Sequence, residues 1–136
     1  MSIQEVQEEI VNDFSAFEEW MDKYEYIIEL GKSLPIIDSS EKVDSNLIKG
    51  CQSRVWVHTS FEDGKLYFTA DSDAIITKGI ISLLIKVYNG RTPSEILSSD
   101  LSFIDRIGLK ENLTPTRTNG LLSMIEQIRT EASKHL

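Results

Sequence analysis

One cysteine, two histidines and three prolines are all that the 136 residues contain of those types. A single thiol excludes an internal disulfide and a cysteine-only metal site. For a monomer it also excludes an iron–sulfur scaffold, which needs several thiolates for each cluster. The histidines, His58 and His135, lie far apart with no companion ligands, so they give no metal motif. No apolar run approaches the ~18 residues of a membrane span. Positive charge is also short, with 14 Lys and Arg against 22 Asp and Glu, a formal net charge of −8. That balance supplies no footprint for nucleic acid. The N-terminus is acidic and amphipathic, unlike a secretory or mitochondrial presequence. One unpartnered cysteine fits a reducing compartment, and the expected location is cytoplasmic.

What is there is an ordinary globular balance, 40% hydrophobic and 26% charged. The length is that of one domain, read as 1–136, with no internal repeats and no low-complexity stretch. The charge is unevenly placed. Residues 1–30 hold nine acids and one base, and residues 31–136 hold thirteen of each, so the net charge belongs to the first segment. This run reads as a solvated helix face, with docking of a basic partner as the sharper alternative.

Hydrophobic periodicity organises the chain. Ile3, Val6, Ile10, Phe14 and Phe17 recur at steps of three and four, which predicts a helix over 3–14. Ser15 and Glu18 have capping-box spacing and predict a second helix carrying Trp20, Tyr24, Ile27 and Ile28 inward. Gly31 and Pro35 end it. Arg54–Ser60 and Lys65–Ala70 flank the turn signal Glu62-Asp63-Gly64 and predict a hairpin, with Asn46–Lys49 as a weak third strand. Asp71, Ser72 and Asp73 offer caps for a long apolar helix, Ala74–Tyr88, whose wide apolar face marks it as the buried centre. Thr92-Pro93 opens a short helix to Leu97, and Phe103–Ile107 reads as another turn of helix. Thr114-Pro115 opens a last helix with the stripe Leu121, Ile125, Ile128 and Ala132. The expected fold is α+β, a small three-stranded antiparallel sheet packed against helices.

The lone thiol sits in Lys49-Gly50-Cys51-Gln52-Ser53-Arg54-Val55-Trp56. Gly50 lets the backbone bend or approach a partner closely. The residues after Cys51 begin an apolar strand, which places the thiol at a loop-to-strand junction where reactive groups are often held. A lone cysteine is commonly an inert buried side chain, so this setting alone leaves both readings open.

Four blocks, in order, then narrow the reading: Tyr26-Ile27-Ile28-Glu29-Leu30-Gly31 with Leu34-Pro35; Gly50-Cys51-Gln52-Ser53 with Val55-Trp56; Asp71-Ser72-Asp73-Ala74 with Lys78-Gly79; and Leu113-Thr114-Pro115-Thr116-Arg117. With these blocks the chain resembles the SufE/CsdE-type sulfur acceptors of iron–sulfur cluster assembly, from about Trp20 to near the C-terminus. The resemblance implies a SufE/IscU-like fold and a covalent sulfur-transfer protein rather than a stand-alone enzyme. Such a protein accepts sulfane sulfur from a cysteine desulfurase, carries it as a persulfide on Cys51, stimulates the desulfurase, and passes sulfur to a Suf scaffold complex. Pyridoxal phosphate belongs to the desulfurase, and no cofactor is expected in this chain. The family's arginine matches Arg117 and its aspartate matches Asp73, both expected near the loop formed by Gly50, Cys51, Gln52 and Ser53. Thr116 and Thr118 stand where serine is common and keep the hydroxyl. A monomer or weak dimer is expected.

Sulfur transfer of this kind follows thiol–disulfide exchange, so Cys51 must ionise when it meets its donor. Arg117 and Arg54 are the candidate cations, and Arg117 lies near a predicted helix N-terminus. The persulfide must also be protected from stray thiols. That need predicts a shielded resting loop, with Trp56 as a candidate cover, and an exposed loop in the presence of the desulfurase. A one-cysteine peroxidase is disfavoured because no thioredoxin-like βαβ pattern is present. The competing function is a non-catalytic docking module in which Cys51 only packs. Asp73 keeps its alternative as a helix cap.

Overall fold

Local chemistry sets the first two helices. A computed structural model describes all 136 residues. In α1 (Ile3–Ser15) the Ser2 hydroxyl accepts from the Glu5 N–H at 3.0 Å, and the Ser2 N–H donates to the Glu5 carboxylate at 3.1 Å. That reciprocal pair satisfies two otherwise open groups at the helix start. Ile3, Val6, Ile10 and Phe14 form its buried stripe. The second capping box, expected at Ser15 and Glu18, does not form. Ser15 is the last residue of α1, and its hydroxyl donates to the Asn12 carbonyl at 2.6 Å. The open carbonyls of the helix end hold the side chain that would have capped the next helix. α2 (Trp20–Gly31) starts instead at Glu19 with no side-chain cap.

The hairpin follows the alternation in the sequence. β1 (Val55–Glu62) pairs antiparallel with β2 (Lys65–Ser72), in register from Val55 opposite Ser72 to Glu62 opposite Lys65. Asp63 and Gly64 form the two-residue loop at φ 52° and 77°. A left-handed pair matches the twist of the flanking strands. The expected third strand contracts to one bridge, Leu47 to Trp56, with the Ile48 N–H on the Val55 carbonyl at 2.9 Å. Asp44–Asn46 is a 3₁₀ turn, held by the Asn46 side chain donating to the Glu41 carbonyl at 2.7 Å. Gly50, at φ 88°, bends the chain away beyond Lys49. The sheet therefore has two strands.

The apolar faces of the hairpin and the helices meet on α3 (Ile75–Tyr88), which is buried along most of its length. Asp71, Ser72 and Asp73 do not cap it as expected. Ala74 is its N-cap, without a side-chain bond. α2 crosses α3 at two glycines. A Cβ on Gly79 would lie 2.2 Å from the Ile27 carbonyl oxygen, and one on Gly31 would lie 3.1 Å from the Gly79 nitrogen. α4 (Pro93–Ser98) carries a capping box between Thr92 and Glu95, and α5 (Ser102–Arg106) and α6 (Leu109–Asn112) lead to α7 (Pro115–Lys134). The Thr114 hydroxyl accepts from the Arg117 N–H at 3.3 Å, the cap expected there. α7 buries Leu121, Met124, Ile125, Ile128 and Ala132. Its first turns lie beside the Cys51 loop. No helix is long and apolar enough to cross a membrane.

Candidate functional site

Gly50 makes the Cys51 loop possible twice over. Its left-handed φ suits a residue with no Cβ, and a Cβ there would also meet the Ser123 hydroxyl oxygen at 2.6 Å. The bend turns Cys51 onto the flank of α7. There the thiol donates to the Gly120 carbonyl, with sulfur and oxygen 3.6 Å apart. A Cβ on Gly120 would lie in van der Waals contact with the sulfur, 3.4 Å away.

The far end of the loop is tied down by backbone. The Arg54 N–H donates to the Asp73 carboxylate at 3.0 Å, and the Asp73 N–H donates to the Arg54 carbonyl at 3.2 Å. Asp73 thus holds the junction between loop and strand rather than capping α3. The loop is tied at Cys51, by the thiol on Gly120, and at its far end, by Arg54 on Asp73.

Beneath the thiol lies a cavity of about 20 Å³. Cys51, Gln52 and Ser53 line it from the loop, Thr77 and Ile80 from α3, and Thr116, Arg117, Gly120 and Met124 from α7. A void of that size holds about one water-sized body. Cys51 is half-buried, and burial pushes its thiol pKa up. The structure thus brings Cys51, Gln52, Ser53 and Arg117 around one cavity, with Gly50 and Asp73 as the supports of the loop. Arg54 is exposed and outside the lining. Trp56 is outside it too, with the Lys42 ammonium 5.3 Å from its ring, and the apolar cover falls to Ile80 and Met124. Arg117 reaches the cavity, yet its guanidinium carbon stands 6.0 Å from the centre of the Tyr24 ring.

Thr77, Ile80, Gly120 and Met124 were not singled out by the sequence reading. Gly120 carried a usable signal, being a helix-interior glycine, which costs stability unless packing needs it. The others read as ordinary helix positions. A larger polar groove of about 780 Å³ runs along another side of α7, between Asp44, Lys49, Glu126 and Lys134. It holds no thiol, and the one thiol of the chain lines the smaller cavity. No group of three or more His, Cys, Asp and Glu side chains is placed to hold a metal.

Comparison with known proteins agrees along most of the chain. The sequence pattern of the SufE family, described as an Fe–S metabolism associated domain, matches residues 8–132. An uncharacterized SufE-like protein of Rhizobium meliloti (strain 1021) is 40% identical over 134 residues, covering 95% of this chain and 96% of its own. Another from Rhizobium etli is 41% identical over 130 residues, covering 92% and 88%. The solution structure of a hypothetical protein from Thermus thermophilus superposes with a TM-score of 0.78 over 96% of this chain and 95% of that one. At 21% identity that likeness concerns the fold. With its pattern matched over residues 8–132 and these relatives matched along most of their length, the chain belongs to the SufE family of Fe–S metabolism associated domains.

Proposed function

We propose that this protein is a sulfur carrier that takes persulfide sulfur from a cysteine desulfurase onto Cys51 and delivers it for iron–sulfur cluster assembly. The observation that carries the reading is the thiol itself. It is half-buried, hydrogen-bonded to Gly120, and stands over a cavity of about 20 Å³, room for one more atom. The space beside the thiol is one that side-chain packing leaves unfilled. A persulfide has a use for it, because the added sulfur needs cover from reducing thiols.

The transfer balances without an outside oxidant. The Cys51 thiolate attacks the outer sulfur of the donor persulfide. A new sulfur–sulfur bond forms on Cys51, the donor's sulfur–sulfur bond breaks, and the donor cysteine leaves as a thiolate. The desulfurase, a pyridoxal-phosphate enzyme, is thereby cleared for another turnover, and this chain needs no cofactor of its own. The raised thiol pKa makes the resting cysteine a poor nucleophile. Reaction then requires the loop to open or a cation to approach, which ties reactivity to docking. Arg117 is the cation in reach of the cavity. The sulfur passes next to a Suf scaffold complex by the same exchange. We place this exchange in the cytoplasm.

Intact-protein mass after incubation with a cysteine desulfurase and cysteine tests the proposal. The expected result is an adduct of one sulfur atom on the wild type, lost on reduction and absent from Cys51→Ser. A desulfurase that binds the protein and leaves no adduct would overturn the carrier reading in favour of a docking module.

A further inference from the structure

Trp20 and Tyr24 are four residues apart on α2, so their side chains share one face of the helix. The two rings meet edge-on with centroids 6.4 Å apart. Both are partly buried at the rim of the core. The free face of Tyr24 receives the Arg117 guanidinium, 6.0 Å from the ring centre. That is the reach of a cation–π contact, and at an exposed arginine it is weak enough for a docking surface to displace.

Arg117 starts from the same helix face as the sulfur's partner. Residue 117 precedes Gly120 by three positions, so the two are neighbours on α7, and the Gly120 carbonyl accepts from Cys51. Helical side chains lean toward the N-terminus, and the guanidinium of Arg117 lies over the Tyr24 ring of α2. No other charge stands in the cavity wall. The loop contributes Gln52 and Ser53, α3 contributes Thr77 and Ile80, and α7 contributes Thr116, Gly120 and Met124 beside Arg117. Arg54 and Asp73 close the loop end outside the lining. The thiol therefore experiences burial, and the one cation that lines its cavity is held on an aromatic ring.

We propose that Tyr24, backed by Trp20, is a positioning residue that parks Arg117 away from the Cys51 sulfur and frees it when the ring contact is displaced. Resting on Cys51 as the sulfur-bearing thiol, this gives the site a switch. With the arginine seated, the cysteine stays protonated and unreactive. With the arginine released, the cation stands within reach of the thiolate and lowers the cost of forming it. A partner surface that covers the Trp20–Tyr24 face would thus activate the thiol as it docks.

The test is the pH dependence of Cys51 alkylation by iodoacetamide in the free protein, which needs no desulfurase. Tyr24→Leu is expected to move the midpoint of the profile down by about one pH unit and to speed alkylation near neutrality roughly tenfold, leaving the alkaline plateau unchanged. Tyr24→Phe keeps the ring and keeps the wild-type midpoint. Adding Arg117→Gln to Tyr24→Leu returns the midpoint to the wild-type value. An unmoved midpoint in Tyr24→Leu, or an equal shift in the double variant, would overturn the proposal. A higher plateau at an unchanged midpoint would mean only a loosened loop and would overturn it as well. Should Tyr24→Leu fail to fold, Tyr24→Met gives the same test with more apolar bulk and no ring. Absence of a persulfide in the mass experiment would sink the carrier reading while this profile stood, so the two failures are separable.

Discussion

At the scale of single residues, Cys51 is a thiol placed where it is costly to ionise. Burial raises the Cys51 pKa in the folded protein. The native state therefore holds the thiol proton at pH values where the unfolded chain has begun to lose it. Stability falls with pH wherever the native state binds more protons. The contribution of Cys51 is intact below the ordinary thiol value of about 8.5 and is lost as pH rises through the higher folded value. Tyr26 and Tyr88 are shifted the same way, in both cases chiefly by burial, so they add a loss of the same sign in the phenol range. The difference between wild type and Cys51→Ala isolates the thiol. Urea unfolding midpoints from pH 7 to 10 should converge as pH rises, the wild type losing its advantage first. Parallel curves for the two proteins would mean that the thiol ionises as easily folded as unfolded.

At the scale of elements, the crossing of α2 and α3 positions the wall of the cavity, because α3 supplies Thr77 and Ile80 and is held at its glycine. Two effects oppose each other in Gly79→Ala. Helix propensity favours alanine by about 1 kcal/mol. The new Cβ would stand 2.2 Å from the Ile27 carbonyl oxygen, a backbone atom that moves only with α2. Overpacking of that kind costs about 3 kcal/mol, so the net change is destabilising by about 2 kcal/mol. Chemical denaturation measures it, and a stability gain would show that the helices separate freely. Lys78-Gly79 was visible in the sequence as part of a family block, but the reason for the glycine lies in a contact with residue 27. The same division runs through the rest of the fold. The hairpin, its Asp63-Gly64 turn and the α7 stripe were legible because strand and helix periods are local. Asn46–Lys49 was not, because the Asn46 side chain and the Gly50 bend decide it. Ser15 was misread because a hydroxyl that can cap one helix can also bond the end of another. The Cys51 loop was legible as a motif. Its floor was not, since Gly120 and Met124 reach it only after α7 docks.

At the scale of the whole molecule, the charge distribution and the core oppose each other at the N-terminus. Nine acids and one base occupy residues 1–30, and residues 31–136 are balanced. Within α1 and α2, Glu5 with Glu9, Glu9 with Asp13, and Glu25 with Glu29 stand four apart, on the same helix faces. Like charges at that spacing cost about 0.2–0.5 kcal/mol each. The apolar stripe Ile3, Val6, Ile10 and Phe14 holds α1 in place, joined by a two-pronged contact from Arg106 to Glu8 and by Gln7 bonded to the Asp100 carbonyl at 3.0 Å. Salt acts on both sides of this balance. It screens the repulsion among the acids, and it weakens the exposed Glu8–Arg106 pair. The three repelling pairs outnumber the two attractive ones of this segment, Glu8–Arg106 and Glu29–Lys32. Raising sodium chloride from low to high concentration should therefore stabilise the protein slightly, by about 0.3 kcal/mol, read as a higher urea midpoint. Substituting Arg106→Gln should enlarge that salt dependence, because it removes an attractive pair that salt weakens. A midpoint that fell with salt would mean that attraction to the rest of the fold, and not repulsion within α1 and α2, governs the acidic segment.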